Sequence, residues 1–203
     1  MATLTYQEFT EACLEFLSIS QKIGDCWKAS GDTYIDGNFF LSKKACVSTV
    51  QTKASADVLM LGEEITDEHL DPSSLGSNCV NIIVSEYHIV FSLSHSVPVL
   101  YFNVFDASGN LLTLEEIMDR VPALYSEQII FNKWQSLTQQ EHPVLGRPFF
   151  QLHPCKTSSV MSHLLSGIND LTNLKGWRYI ASWLSMFAPV VGLHIPLSYF
   201  SDV

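Results

Sequence analysis

Two runs of residues, 80–94 and Val97–Phe105, restrict the fold more than any other part of the chain. In the first, Tyr87, Ile89, Phe91 and Leu93 fall on one face by the period of two that a strand imposes. Ser94-His95-Ser96 is a gap short enough for a hairpin. Asp106-Ala107-Ser108-Gly109-Asn110 is a turn cluster that ends the second strand. Upstream, residues 26–34 and 39–50 read as two more strands around Asp36-Gly37-Asn38, where Gly37 supplies the positive φ of a tight turn. Before them, Thr5-Tyr6-Gln7-Glu8 is a capping box. Phe9, Cys13, Phe16, Leu17 and Ser20 follow at helical spacing, and Gly24 ends that helix. The order is helix, then four strands in a meander. It predicts an α+β fold with an antiparallel sheet backed by helices.

Further along, Thr113-Leu114-Glu115-Glu116 is a second capping box, opening a short helix that Pro122 closes. Residues 134–140 and 148–153 form another hairpin, with 142–147 as its loop. Trp177, Ile180, Ala181, Leu184 and Ala188 mark a late helix stopped by Pro189. Residues 180–201 carry no Asp, Glu, Lys or Arg. The uninterrupted apolar part is shorter than the ~20 residues that a membrane-spanning helix needs, so this is a buried helix followed by an irregular packed tail.

A chain of 203 residues, 47% of them hydrophobic, supports one domain, 1–203, with a substantial core. The acidic stretch 62–78, with Glu63, Glu64, Asp67, Glu68 and Asp71, is expected to be a mobile, solvated loop. The net charge of −10 and the lack of a basic stripe argue against nucleic acid as a partner. Cys13, Cys26, Cys46, Cys79 and Cys155 are odd in number and irregular in spacing. With no signal peptide, they predict a cytoplasmic protein with free thiols.

The chemistry concentrates in residues 141–157, which hold three prolines, two His-Pro pairs and one cysteine. Pro148 and Pro154 bracket a short strand, and proline keeps His153, the residue before it, extended. Cys155 then sits just past a strand end beside Lys156, with Thr157-Ser158-Ser159 after it. Of the five cysteines it is the one in an exposed, proline-fixed setting. His153 has two open readings, a structural hydrogen bond or a direct role beside the thiol. Lys156, and His153 if protonated, favour thiolate.

His153-Pro154-Cys155, preceded by Pro148-Phe149-Phe150 and Gln139-Gln140-Glu141-His142-Pro143, resembles the autophagy branch of the ubiquitin-conjugating enzymes. Pro189-Val190-Val191-Gly192-Leu193 and Pro196-Leu197-Ser198-Tyr199 resemble its protein-conjugating member, and the likeness extends over nearly the whole chain. It implies a ubiquitin-conjugating-like fold with an extra hairpin before the active-site cysteine. It also implies a thioester transferase in which Cys155 takes a ubiquitin-like modifier (autophagy-related protein twelve) from the autophagy activating enzyme. The modifier then goes to a lysine of an acceptor protein (autophagy-related protein five). No metal or organic cofactor is needed, because the acyl group arrives activated.

The chain departs from the main ubiquitin-conjugating family at one point. That family places His-Pro-Asn a few residues before its cysteine, and the Asn supports the oxyanion. Here the spacing falls on Leu145-Gly146-Arg147. Asn103, on the fourth strand, and Asn132 are the candidates for that role, though no motif places either. The acceptor is expected to dock on the hairpin before the cysteine, at Trp134, Gln139 and Gln140. Rival readings are the lipid-conjugating sibling enzyme, a cysteine–histidine protease and a non-catalytic protein-binding module. The acidic first helix and the short chain count against the first. The absence of papain-like or caspase-like signatures counts against the second.

Overall fold

A computed structural model describes residues 2–50, 80–120, 137–166 and 176–201. The acidic stretch 62–78, Pro122, Asn132 and Trp134 lie outside them.

Helix α1 spans Tyr6–Ile23. Its start is fixed by the predicted capping box: Thr5 accepts from the Glu8 amide, and the Glu8 carboxylate accepts from the Thr5 amide at 2.8 Å. Gly24 closes it at φ 75°, where a side chain would be strained. Phe9, Cys13, Phe16 and Ile19 are buried along one stripe, each large apolar side chain there contributing about 1.5–3 kcal/mol by leaving water.

Six strands make one antiparallel sheet among the described residues. They are β1 Lys28–Ser30, β2 Phe40–Val50, β3 Val80–Ser92, β4 Val97–Phe105, β5 Leu137–Glu141 and β6 Pro148–Leu152. Their order is β1-β2-β3-β4-β6-β5. The first four form the expected meander, and the extra hairpin joins its outer side by β6. A short helix, α2, Leu114–Met118, opens on the second capping box.

Two expectations shift. The strand read at 26–34 shrinks to Lys28–Ser30, because the chain folds over at Gly31. A Cβ there would stand 1.9 Å from the Asn38 carbonyl oxygen, and Asn38 Oδ1 accepts from the Asp32 amide. Tyr6 holds the loop beyond by donating its hydroxyl to the Ile35 carbonyl at 2.8 Å. Leu93 leaves the buried face, since β3 ends at Ser92 and the turn starts there. The Ser96 amide reaches back to the Ser92 carbonyl at 2.8 Å.

One sheet face carries Leu41, Tyr87, Ile89, Phe91, Leu100, Phe102 and Phe150, packed in the main core with α1 and with α4, Trp177–Phe187. Glu15 of α1 accepts from the Trp177 amide at 3.1 Å and so caps α4 from outside. Beneath this face lies a buried polar knot. Asp25 takes the Lys43 ammonium, the Trp27 indole N–H at 3.1 Å and the Tyr199 hydroxyl at 2.7 Å. It ties the end of α1, strand β2 and the C-terminal tail together, and Tyr199 also stacks on Phe16. The other face carries Phe40, His88, Val90, Val99, Tyr101 and Phe149, covered in part by the loop 142–147. Among the described residues no helix is long and apolar enough to cross a membrane.

Candidate active site

Strand β6 delivers the thiol. His153 leaves it in extended conformation, φ −63° and ψ 126°, as proline at the next position requires. Pro154–Lys156 then form a 3-10 turn that runs into helix α3, Thr157–Ser166. Pro154 and Thr157 are buried and Cys155 between them is exposed. The Thr157 amide closes on the Pro154 carbonyl. The far side of α3 is pinned to the core by Met161, and Ser162 accepts from the Ala2 amide at 2.9 Å. Cys155 is therefore presented on a rigid corner rather than a floppy loop.

His153 is the residue that squares this corner. Its Nδ1 accepts the Cys155 amide at 3.2 Å, capping the turn. An Nδ1 that accepts carries no proton, so the ring proton lies on Nε2. That favours the structural of the two sequence readings and fixes the tautomer.

Exposure alone does not single out Cys155. Cys26 and Cys46 are also exposed. Cys26 turns its thiol to the Gly24 carbonyl and Cys46 stands on β2, so neither shares the proline-fixed corner. Cys13 is buried, and burial pushes its thiol well up from the ordinary value. Cys79 lies outside the described residues.

Asn103 is not brought to the thiol. Its Nδ2 donates to the Pro148 carbonyl at 3.1 Å, at the start of β6, whereas Cys155 follows the end of that strand. Its Oδ1 is buried with no hydrogen-bond partner among the described residues. Residues 145–147, at the spacing where the main family carries its Asn, form the tight β5–β6 turn. Gly146 takes φ 63° there and its amide reaches the His142 carbonyl at 2.9 Å. Gln139 and Gln140 are exposed on β5, which ends the sheet among the described residues.

His142 is fully buried under that turn. Its Nδ1 accepts from the Val144 and Leu145 amides, both at 3.2 Å, so its proton is on Nε2. Nε2 then donates to Nδ1 of His88 at 3.0 Å, which leaves the His88 proton on Nε2, 3.4 Å from Glu86. Arg147 returns to the same carboxylate at 3.0 and 3.1 Å and lies over the Phe149 ring. Burial, with Arg147 and Lys44 adding to it, lowers His88 to about 4. Burial, then His88 and Arg147, lower His142 to about 4 against the pull of Glu86. Both rings are neutral in the fold.

A groove of about 550 Å³ opens beside His153 and Pro154. It takes walls from the β3–β4 turn, β4, the loop at Pro143 and the turn at Asp36 and Gly37. His95 of the β3–β4 turn meets His153 across it, ring centres 5.9 Å apart. Sequence reading missed His95 as a neighbour of the site. The one available signal was its place in a short Ser-His-Ser hairpin, which reads equally as a plain turn.

The family model described as "Autophagocytosis associated protein, active-site domain" matches residues 8–198. The ubiquitin-like-conjugating enzyme ATG10 of Homo sapiens is 38% identical over 199 residues, covering 94% of this chain and 90% of that protein. The enzymes of the same name from Arabidopsis thaliana and Dictyostelium discoideum are 41% and 36% identical. The first covers 55% of this chain and 50% of that protein, the second 57% and 53%.

Proposed function

This chain belongs to the family of autophagocytosis-associated active-site domains and is a ubiquitin-like-conjugating enzyme of autophagy; from that premise we propose that Cys155 is the residue that carries the modifier. As thiolate, its sulfur attacks the carbonyl carbon of the modifier's thioester on the activating enzyme. The activating enzyme's thiol leaves and takes up a proton. The modifier, autophagy-related protein twelve, then passes to a lysine of autophagy-related protein five, forming an amide and freeing Cys155. We place this reaction in the cytoplasm and within one conjugating domain, 1–203.

The observation that supports this most is the corner at Cys155, an exposed thiol on a turn held by Pro154, His153 and α3. Acyl transfer between two large proteins needs a thiol that protrudes and does not wander, because positioning supplies much of the rate. The acceptor is assigned to the hairpin surface around Gln139 and Gln140. The outer edge of β5 is suited to pairing with an extended segment of a partner. The sequence also adds Trp134 to that surface.

Incubation with activating enzyme, modifier and ATP, followed by mass spectrometry, tests the assignment. The expected product is one adduct on Cys155 that a reducing agent cleaves, replaced in Cys155→Ser by a stable oxygen ester or nothing. A reducible adduct that persists in Cys155→Ala, carried on Cys26 or Cys46, overturns it.

A further inference from the structure

We propose that the groove lined by His153 and Pro154, the two residues before Cys155, takes the acceptor lysine side chain, with Asp36 and His95 meeting its ammonium. The inference rests on the assignment of Cys155 above.

The lining matches a lysine in shape and charge. Leu93, Val99, Pro143 and Pro154 offer apolar walls of the kind that a long methylene stem lies along, while the charged head seeks polar groups. The titratable groups lining the groove are Asp36, His95, Tyr101 and His153. Among the described residues its lining holds a carboxylate and two imidazoles but no Lys or Arg, so none of these side chains sets a fixed cation against an ammonium. Burial pushes the Tyr101 phenol up, which keeps it neutral.

The two imidazoles differ in what they can do. His153 accepts an amide hydrogen at Nδ1, and a proton there would set two donors against each other. His95 Nδ1 instead faces the Ser94 and Ser92 hydroxyls at 3.0 and 3.2 Å. A hydroxyl both donates and accepts, so these partners satisfy either tautomer and the imidazolium as well. His95 is also exposed. Its hydrogen bonds to the turn can be kept whichever of its nitrogens carries a proton.

That matters because a lysine, with a reference pKa of about 10.4, arrives almost wholly as the unreactive ammonium. The ammonium gives one proton to His95. The neutral nitrogen attacks the thioester carbonyl carbon, so a C–N bond forms and the C–S bond breaks. Sulfur leaves as the Cys155 thiolate, and the second nitrogen proton lost on collapse leaves it as thiol. His95 returns its proton to water. The sum is one amide, one thiol and one proton released.

The test uses enzyme charged with modifier and then mixed with either free lysine or hydroxylamine, a small neutral nucleophile with neither stem nor cation. In Asp36→Asn and His95→Gln the discharge rate to lysine is expected to fall at least tenfold relative to that to hydroxylamine. The His95→Gln deficit should narrow as pH rises and more amine is already neutral. Ser94→Arg, which puts a cation into the groove, should give the same lysine-selective loss. Equal effects on both nucleophiles in all three variants overturn this reading of the groove. A wild-type protein that never charges overturns the Cys155 assignment instead, and the two failures are separate readouts.

Discussion

Where β3 faces α1 and α4 it presents Tyr87, Ile89 and Phe91; where it faces away it presents Glu86, His88 and Val90. Both sets are largely enclosed, by different covers. The first lies under two helices with apolar stripes, and it encloses the buried ion pair Asp25–Lys43. The second lies in part under the six-residue turn 142–147, which is held by imidazoles, an arginine and aromatic rings. A helix brings enough apolar area to make a dry core, whereas a turn brings mostly backbone amides that need acceptors. His142 supplies that acceptor to Val144 and Leu145, which explains why a histidine is buried there. The helix face therefore provides stability, and the other face gives shape to the site.

Asp25→Ala should show the largest effect. It removes the carboxylate that Lys43, Trp27 and Tyr199 share deep in the helix face. Breaking a buried pair from one side costs about 3–5 kcal/mol. Denaturant unfolding measures it, and a loss under 1 kcal/mol would mean that the knot is not what anchors the C-terminal tail.

The paired histidines should show the next effect, as a slope with pH. Both are held near 4 in the fold, below their ordinary 6.5, so the unfolded chain binds protons first as pH falls. Their contribution is fully present above about pH 6.5 and is lost as pH drops toward 4. Unfolding midpoints across that window should fall more steeply for wild type than for a variant carrying both His88→Gln and His142→Gln. An identical slope in the two would detach this face from acid sensitivity.

Arg147→Gln should do least. The pair with Glu86 is half open to water on the arginine side, so its loss should cost under about 1 kcal/mol. Sensitivity to added salt checks it. A loss as large as that of Asp25→Ala would erase the distinction between the faces.

The parts of this picture that sequence made legible are those whose causes are local. Thr5 with Glu8, and Thr113 with Glu116, close hydrogen bonds three residues apart, so both helix starts could be read directly. Pro154 fixes His153 and hence the approach to Cys155 by a clash between neighbours. The turn at Gly31 was hidden because its reason, the Asn38 carbonyl, lies seven positions on. His88 reads as an outward strand residue until a loop 54 residues later folds onto it. His95 reaches His153 only because β6 slots beside β4, with Tyr101 opposite Gln151. Asn103 was drawn toward the thiol by chemistry alone, and the same register sends it to the other end of β6.

That register also has a kinetic side. Strands β2 and β3 are zipped along eleven residue pairs, from Phe40↔Val90 to Val50↔Val80, but β6 meets β4 through only Tyr101↔Gln151 and Phe102↔Phe150. The β5–β6 hairpin closes over a short loop and can form by itself, while its docking onto β4 joins segments far apart in the chain. The reactive corner is thus carried on the seam with the fewest paired backbone residues among the described strands, and side chains reinforce it: Phe149 and Phe150 are buried, and His142 and Arg147 bond back to β3. The hairpin is therefore expected to dock after the long ladder has closed, so the corner at Cys155 is completed late in folding.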